Sequence, residues 1–296
     1  MKKFLLLPLL LLTLLVSSCG TTSTVPITGR KHTLLVDDAQ VLSLSTQQYS
    51  QYMQSAKPST NKANTELVKR VGTKLANAVE SYLKNNGFAN EVQNFAWEFN
   101  LVADNQVNAF CMPGGKIVVY EGLLPVTQDE ASLAVVLGHE IAHAVAKHSA
   151  EQMSTQLKQQ YGAQIVSQVL SQVAPNSTTL TGLAGLAAQM GFSFANLKYS
   201  RDNETEADVM GLIFVAMAGY DPQKAIPFWQ RMAASNGNSG SDLFSDHPSD
   251  AKRIATLQQM MPEALKYYKP VTTTTTTAAK TTTAAKKTTA TTKKTK

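Results

Sequence analysis

The chain has 296 residues, of which 43% are hydrophobic and 16% charged, a composition that excludes a wholly disordered or fibrous protein. Its net charge of +6 comes from the two ends, because Lys2, Lys3 and the six lysines of residues 271–296 lie there without acidic neighbours. The middle of the chain therefore has no excess of positive charge, which argues against a nucleic-acid-binding surface.

The N-terminus has the three parts of an export signal. Two lysines precede an apolar run over residues 4–16, which is too short to span a bilayer, and small residues then lead to Cys19. The four residues that end at Cys19 resemble a bacterial lipobox, so we expect residues 1–18 to be removed and the Cys19 thiol to carry lipid. An ordinary cleaved signal with an incidental cysteine is the alternative. Residues 19–30 are expected to form a tether.

Hydrophobic patterning after this point predicts a mainly α-helical α+β fold with a small antiparallel sheet. Apolar residues at helical spacing indicate long helices, and alternation of apolar and polar residues indicates short strands. Helices are predicted over residues 61–86, 131–145, 202–218 and 250–265, and strands over 97–101, 107–111 and 116–120. Repeats of Thr, Ala and Lys in residues 269–296 contain no large apolar side chain, so we expect a disordered tail after a folded domain of residues 31–268.

The helix predicted over residues 131–145 is apolar nearly all round, which is typical of a buried helix. Thr127 and Glu130 have the spacing of a capping box at its start. The helix contains an H-E-x-x-H motif, in which His139 and His143 lie one turn apart on the same face and can bind one metal ion. Glu140, offset by about 100°, lies where it can hold a water at that metal.

A third metal ligand is expected from an acidic stretch further along the chain. Glu204 and Asp208 are four residues apart and share one helical face, whereas Glu206 points away from them. We expect Glu204 to bind the metal and Asp208 to accept a hydrogen bond from a ligand imidazole. The alternative is a solvated acidic helix start. His148, about 140° around the helix from His143, is excluded as a ligand.

These motifs resemble the zinc metallopeptidase family that includes the CAAX prenyl proteases and the heat-shock membrane protease, family forty-eight of the metallopeptidases. The closest likeness is to its exported bacterial lipoprotein members. The resemblance covers roughly residues 27–268. It rests on Gly138–His143, Glu204 with Ala207 and Asp208, the segment 108–115, and His247-Pro248-Ser249 with Arg253.

The resemblance implies a zincin-like domain with one Zn²⁺ per chain on His139, His143 and Glu204, and with Glu140 as catalytic base. It implies an endopeptidase that hydrolyses unfolded or damaged envelope proteins, anchored through Cys19, most simply on the periplasmic face of the outer membrane. We expect no nucleic acid among its partners, because the positive charge lies in the two ends of the chain. We expect strand 116–120 to pair with the substrate backbone. The alternative is that this strand only fills the sheet. A non-catalytic zinc-binding lipoprotein that acts as an envelope assembly or interaction factor is the alternative.

Three further residues are candidates for stabilising the transition state: Arg253, Tyr199 and His247. In exported members of the family the His-Pro element acts as a latch that occupies the open metal position, and His247 stands at the matching place. The alternative is that His247 only buttresses the last helix.

The two roles of His247 predict opposite mutational effects. For a latch, we expect His247→Ala to keep zinc and to raise basal cleavage of unfolded casein. For a buttress or a transition-state donor, we expect lower activity. Casein cleavage, with zinc content as the control, separates the two roles, and a loss of activity at full zinc occupancy contradicts the latch.

Overall fold

The computed structural model describes residues 21–162, 179–239 and 251–270 and has the predicted α+β fold, in which helices predominate. Its strands are β1 (Thr21–Thr24), β2 (Lys31–Leu34), β3 (Glu98–Val102), β4 (Ala109–Met112) and β5 (Lys116–Tyr120). Its α-helices are α1 (Asp38–Ser55), α2 (Lys62–Asn85), α3 (Leu124–Thr127), α4 (Glu130–Val145), α5 (His148–Tyr161), α6 (Thr179–Gln189), α7 (Arg201–Met217), α8 (Ala225–Ser239) and α9 (Ala251–Leu265). Short 3-10 helices lie at Ala89–Asn94, Glu121–Leu123, Phe194–Asn196 and Pro222–Lys224.

The three predicted strands form one sheet, in the order β3-β5-β4. β4 and β5 are antiparallel, but β3 and β5 are parallel, so the expectation of a wholly antiparallel sheet is wrong for this pair. The connection over residues 103–108 is long enough to cross the roughly 10 Å from β3 past β5. β5 is therefore the central strand, and β4 lies at an edge.

This sheet separates the interior into two apolar clusters. Along β4, Ala109 and Cys111 face a cluster built from α2, α4, α7 and α8, whereas Phe110 and Met112 face a second cluster with α1, α5 and α6. Successive residues of a strand point to opposite faces, so a four-residue strand serves both clusters. Both faces of the sheet are covered, and all four residues of β4 are buried.

Helix α4 packs closely against α7, and two glycines make this contact possible. A Cβ atom on Gly211 would lie 2.8 Å from the backbone nitrogen of His139, and one on Gly138 would lie 3.0 Å from the carbonyl oxygen of Gly211. These distances leave no room for a side chain, so the two backbones touch where the predicted metal motif begins.

The starts of the helices agree with the sequence only in part. Asp221 and Pro222 have the sequence typical of an N-cap followed by a first-turn proline, and Asp221 does cap the turn that leads into α8. The capping box at Thr127 and Glu130 is wrong: the N-cap of α4 is Asp129, whose side chain accepts a hydrogen bond from the Ser132 backbone. The Thr127 hydroxyl instead donates to the Leu124 carbonyl, because a short helix ends there.

Residues 21–34 form a hairpin in place of the expected tether. β1 and β2 pair in antiparallel fashion, and Val25 between them is buried in the core. The predicted signal peptide, Cys19, His247 and most of the predicted tail lie outside the described residues. Within the described ranges, no helix combines the length and the apolar character that crossing a bilayer requires.

Gly211→Ala tests the contact between α4 and α7. We expect it to lower the free energy of unfolding by about 1–3 kcal/mol, because the added methyl must push one backbone away from the other. Gly185→Ala in α6 is the matched control, since a Cβ there meets no atom within 4 Å, and alanine in a helix interior should be neutral or stabilising. Urea unfolding of the metal-free variants measures both, and equal stability of the two contradicts the close-contact argument.

Candidate metal centre

The imidazoles of the H-E-x-x-H motif meet on one face of α4. His139 and His143 lie on successive turns, and their Nε2 atoms are 3.0 Å apart. The two side chains are 4% and 0% exposed. The predicted i, i+4 placement is therefore present, with both Nε2 atoms directed at one point.

Helix α7 brings Glu204 to the same point. The helix begins after its N-cap Ser200, so Glu204 stands in the first turn. One carboxylate oxygen lies 3.3 Å from Nε2 of His139, and the other lies 3.4 Å from Nε2 of His143. The contact between Gly138 and Gly211 fixes the distance between the two helices and so allows these three side chains to meet.

Ligand atoms of His139, His143 and Glu204 all lie within 4.8 Å of one another, and all three residues are buried. Two imidazoles and one carboxylate are a donor set typical of catalytic zinc, which leaves a fourth coordination position for water or substrate. These residues therefore fit a zinc ion. The structure brings together the three residues that the sequence predicts as ligands.

Behind His139 stands the acidic partner that the sequence predicts. The Asp208 carboxylate lies 3.0 Å from Nδ1 of His139. Arg253 donates to that carboxylate at 2.6 Å and stacks on the Trp229 ring with its guanidinium carbon 3.5 Å from the ring centre. The same guanidinium lies 3.0 Å from Nδ1 and 3.3 Å from Nε2 of His139, so Arg253 links α9 to this predicted ligand.

Behind His143 the structure shows partners that the sequence analysis missed. Nδ1 of His143 lies 2.9 Å from Nδ1 of His148, whose Nε2 lies 2.9 Å from a carboxylate oxygen of Glu206. The sequence predicts that His148 is not a metal ligand, and His148 is absent from the cluster of His139, His143 and Glu204. It nevertheless contacts His143, which the sequence did not predict. The reason is Lys147, whose left-handed φ of 57° ends α4 and starts a new helix direction.

Burial and neighbouring charges shift the titration of these groups. Burial and the Arg253 charge act to lower the pKa of His139, but hydrogen bonds to Asp208 and Glu204 outweigh them and raise it to about 9. Burial lowers the pKa of His143 well below its usual value, and it also lowers the pKa of His148. Buried carboxylates thus surround the ligand imidazoles, and this negative charge suits a divalent cation.

Glu140 lies beside the ligands without being one of them. It is buried at 2% exposure and lines a small cleft between β4 and the turn at Phe194–Asn196. Tyr199 borders the same cleft, stacks on His143 at a ring distance of 4.0 Å and hydrogen bonds to Ser149 through its hydroxyl. The predicted base therefore stands at the junction of the metal centre and a cleft.

The strand that borders this cleft is not the one that the sequence predicts for substrate. β5 is hydrogen bonded on both sides, so residues 116–120 offer no free edge, and that expectation is wrong. β4 is the strand at the cleft, and no other strand of the described residues pairs with its outer edge. The turn at Phe194–Asn196 lies on the other side of the cleft. The Gln48 side chain fixes this turn, because it donates to the Phe192 carbonyl and accepts from the Phe194 nitrogen.

The family model and the similar proteins found by comparison all indicate a metallopeptidase. Residues 65–261 match the model of Peptidase family M48. The mitochondrial metalloendopeptidase OMA1 of Schizosaccharomyces pombe is 36% identical over 171 residues, which are 57% of this chain and 48% of the relative. Human metalloendopeptidase OMA1, mitochondrial, is 29% identical over 245 residues, or 81% of this chain and 46% of the relative. A putative β-barrel assembly-enhancing protease of Vibrio cholerae is 33% identical over 186 residues, or 62% and 37%.

This chain thus spans about half, or less, of the length of these curated relatives. The family match covers more than half of the chain and contains the H-E-x-x-H helix and Glu204. The chain belongs to Peptidase family M48.

Proposed function

We propose that this chain is a zinc-dependent endopeptidase that hydrolyses peptide bonds of unfolded or damaged envelope proteins. The observation that carries the proposal is the buried cluster of His139, His143 and Glu204, together with the buried Glu140, which follows His139 on α4 and lines the cleft that Tyr199 borders. A structural zinc site normally has four protein ligands, whereas the cluster among the described residues has three. A neighbouring carboxylate that is not a ligand serves catalysis and not metal retention, which disfavours the non-catalytic alternative.

The chemistry divides between the ion and the chain. A zinc ion on these ligands would polarise the scissile carbonyl and lower the pKa of a water molecule towards about 7. Glu140 accepts the proton of the attacking water and passes it to the leaving amine. Asp208, held by Arg253, fixes the ring orientation of His139 and with it the direction of the Nε2 lone pair.

The edge of β4 is the proposed place for the substrate backbone. The Asn108 carbonyl accepts from the Tyr120 nitrogen inside the sheet, so the next residue, Ala109, directs its backbone groups outwards. There the Ala109 nitrogen donates to the Asn108 side-chain oxygen at 2.8 Å, and a substrate carbonyl would take the place of that oxygen. A peptide in extended form can pair with this edge, in the cleft that Glu140 lines. Backbone pairing places few demands on side chains, which suits unfolded polypeptides of varied sequence as substrates.

The proposed location is the cell envelope, with lipid on Cys19 as the anchor. Two lines support it. The lipobox-like sequence stands at the position that lipidation requires. Relatives include proteins named β-barrel assembly-enhancing protease, in Vibrio cholerae and Yersinia pestis. Gly20 after the cysteine is compatible with sorting to the outer membrane, so we place the folded domain on its periplasmic side.

Glu140→Gln tests the catalytic proposal. We expect zinc content and fold to be unchanged and cleavage of unfolded casein to fall by about 10²- to 10⁴-fold, because only the proton acceptor is removed. Glu66→Gln, at an exposed position on α2, is the matched control and should cleave casein at the parent rate. Turnover of Glu140→Gln at the parent rate, with zinc bound, would falsify the mechanism.

Cys19→Ser tests the anchor. We expect the protein to move from the membrane fraction to the soluble fraction, since acyl chains supply the binding energy at about 0.8 kcal/mol per buried methylene. The control is Cys111→Ala, which removes the buried thiol at β4 and should leave the protein on the membrane. If Cys19→Ser stays on the membrane after a high-salt wash, another anchor exists and the proposal fails.

A further inference from the structure

We propose that His148 and Glu206 are positioning residues for the metal ligand His143, and that Arg30 of the N-terminal hairpin holds this pair in place. The inference rests on the proposed function in that it takes His143 as a zinc ligand. It adds that the affinity of this site for metal depends on Arg30, which lies near the N-terminal end of the sequence. We call the linked residues His148, Glu206, Arg30 and Glu151 the support chain.

The first step is the contact between two imidazoles. Nε2 of His143 faces Nε2 of His139 and an oxygen of Glu204, so Nε2 is the nitrogen directed at the metal position. A neutral imidazole that offers Nε2 to a metal carries its proton on Nδ1. That proton points to Nδ1 of His148 at 2.9 Å, and both rings are fully buried. His148 therefore accepts a hydrogen bond from the ligand.

The second step follows from the first. An imidazole whose Nδ1 accepts has its own proton on Nε2. Nε2 of His148 lies 2.9 Å from the Glu206 carboxylate and donates to it. His143 is thus connected to a carboxylate through one intervening ring, whereas His139 contacts Asp208 directly. Both ligand imidazoles then have the acidic partner that orients a metal-binding histidine.

The third step is how Glu206 is held. Arg30 donates through Nε to one carboxylate oxygen at 2.7 Å, and the Thr28 hydroxyl donates to the other at 2.5 Å. His148 and Arg30 share one oxygen of Glu206, and Thr28 holds the other. Both carboxylate oxygens therefore have donors, and the orientation of the carboxylate is fixed.

Arg30 also ties this carboxylate to the helix that carries His148. Its two terminal nitrogens each donate to an oxygen of Glu151 at 2.8 Å, in the paired geometry that fixes a guanidinium most firmly. Glu151 lies one turn after His148 on α5, and Glu206 lies on α7. One side chain of the hairpin therefore fixes α5 relative to α7, at the point where His148 has to reach His143.

A purely structural role of the same contacts is the competing explanation, and the two make different predictions. If the support chain only stabilises the packing of α5 on α7, its loss lowers thermal stability and leaves metal affinity unchanged. If it orients His143, its loss weakens metal binding and changes the geometry of the bound ion. If the support chain orients His143, a substitution of His148 that can still accept from His143 and donate to Glu206 should also keep most of the metal affinity.

The test measures metal binding without reference to proteolysis. The full-length chain with Glu140→Gln, solubilised in detergent, serves as the parent so that no self-cleavage interferes. Zinc affinity is measured by competition with a chelator, Co²⁺ absorption reports the geometry of the bound ion, and thermal unfolding of the metal-free protein reports stability. Support-chain variants are His148→Leu, which removes both hydrogen bonds, His148→Gln, which can accept and donate at the same places, and Arg30→Met.

We expect His148→Leu to weaken zinc binding by about 10- to 100-fold, the effect typical of losing a partner behind a ligand, and to shift the Co²⁺ spectrum. His148→Gln should recover most of the affinity. Arg30→Met should weaken binding in the same direction but less, since His148 remains. Arg70→Met, which removes an exposed ion pair with Glu130 far from the support chain, is the matched control and should bind zinc like the parent.

The outcomes separate the two proposals. Parental zinc affinity in both His148→Leu and Arg30→Met, whatever their thermal stability, overturns the inference while leaving the proposed function intact. If His148→Leu does not fold, Arg30→Met and His148→Gln still decide, because unchanged affinity and Co²⁺ spectrum in Arg30→Met contradict the inference. A parent that binds no zinc overturns the proposed function and the inference together.

Discussion

The candidate metal centre depends on the direct contact of two helix backbones. Gly138 and Gly211 bring α4 and α7 so close that a single methyl group would collide with the chain at His139. One helix supplies two imidazoles and the other supplies a carboxylate, and neither helix alone has the complete donor set. The distance between the helices therefore decides whether the donor set is complete, and the backbone contact leaves no side chain between them at this point that could repack and change that distance.

Burying this many ionisable groups is costly, and the structure offsets the cost by pairing them. His139 contacts Asp208, Asp208 contacts Arg253, and Arg253 lies on the Trp229 ring. On the other side, His148 stands between His143 and a carboxylate. Each buried charge thus has an opposite charge or a polar donor nearby, which is the condition under which such groups are tolerated in an apolar core. The same contacts limit the rings to one orientation.

The features that the sequence predicted well are those with local causes. His139, Glu140 and His143 lie within one helical turn, and the apolar pattern around them predicts that helix. Glu204 and Asp208 follow from the same spacing rule on a second helix. The bounds of α2, α4 and α7 agree with prediction to within one or two residues, since the periodicity of each is contained in its own segment.

The features that prediction missed depend on residues far apart in the chain. The contact of Arg30 with Glu206 joins residues 176 positions apart, and no local pattern marks either one. The angle used for His148 assumed an unbroken helix, which Lys147 interrupts. The parallel pairing of β3 with β5 depends on a crossing connection that alternation of apolar residues does not reveal. The cap at Asp129 displaced the expected one because a short helix ends just before it.

If substrates pair with β4 as we propose, the edge position of this strand has a consequence for which proteins are cleaved. A strand edge accepts only a polypeptide whose own main-chain hydrogen bonds are open over several residues, and a folded client has these bonds satisfied internally. The rate of cleavage would then depend on how often the substrate opens locally. The free energy of that opening ranges from near zero for loops and termini to the full free energy of unfolding for core elements. Such a protease would need no recognition sequence to spare healthy proteins, because the stability of each substrate would decide how often its backbone is available to the cleft.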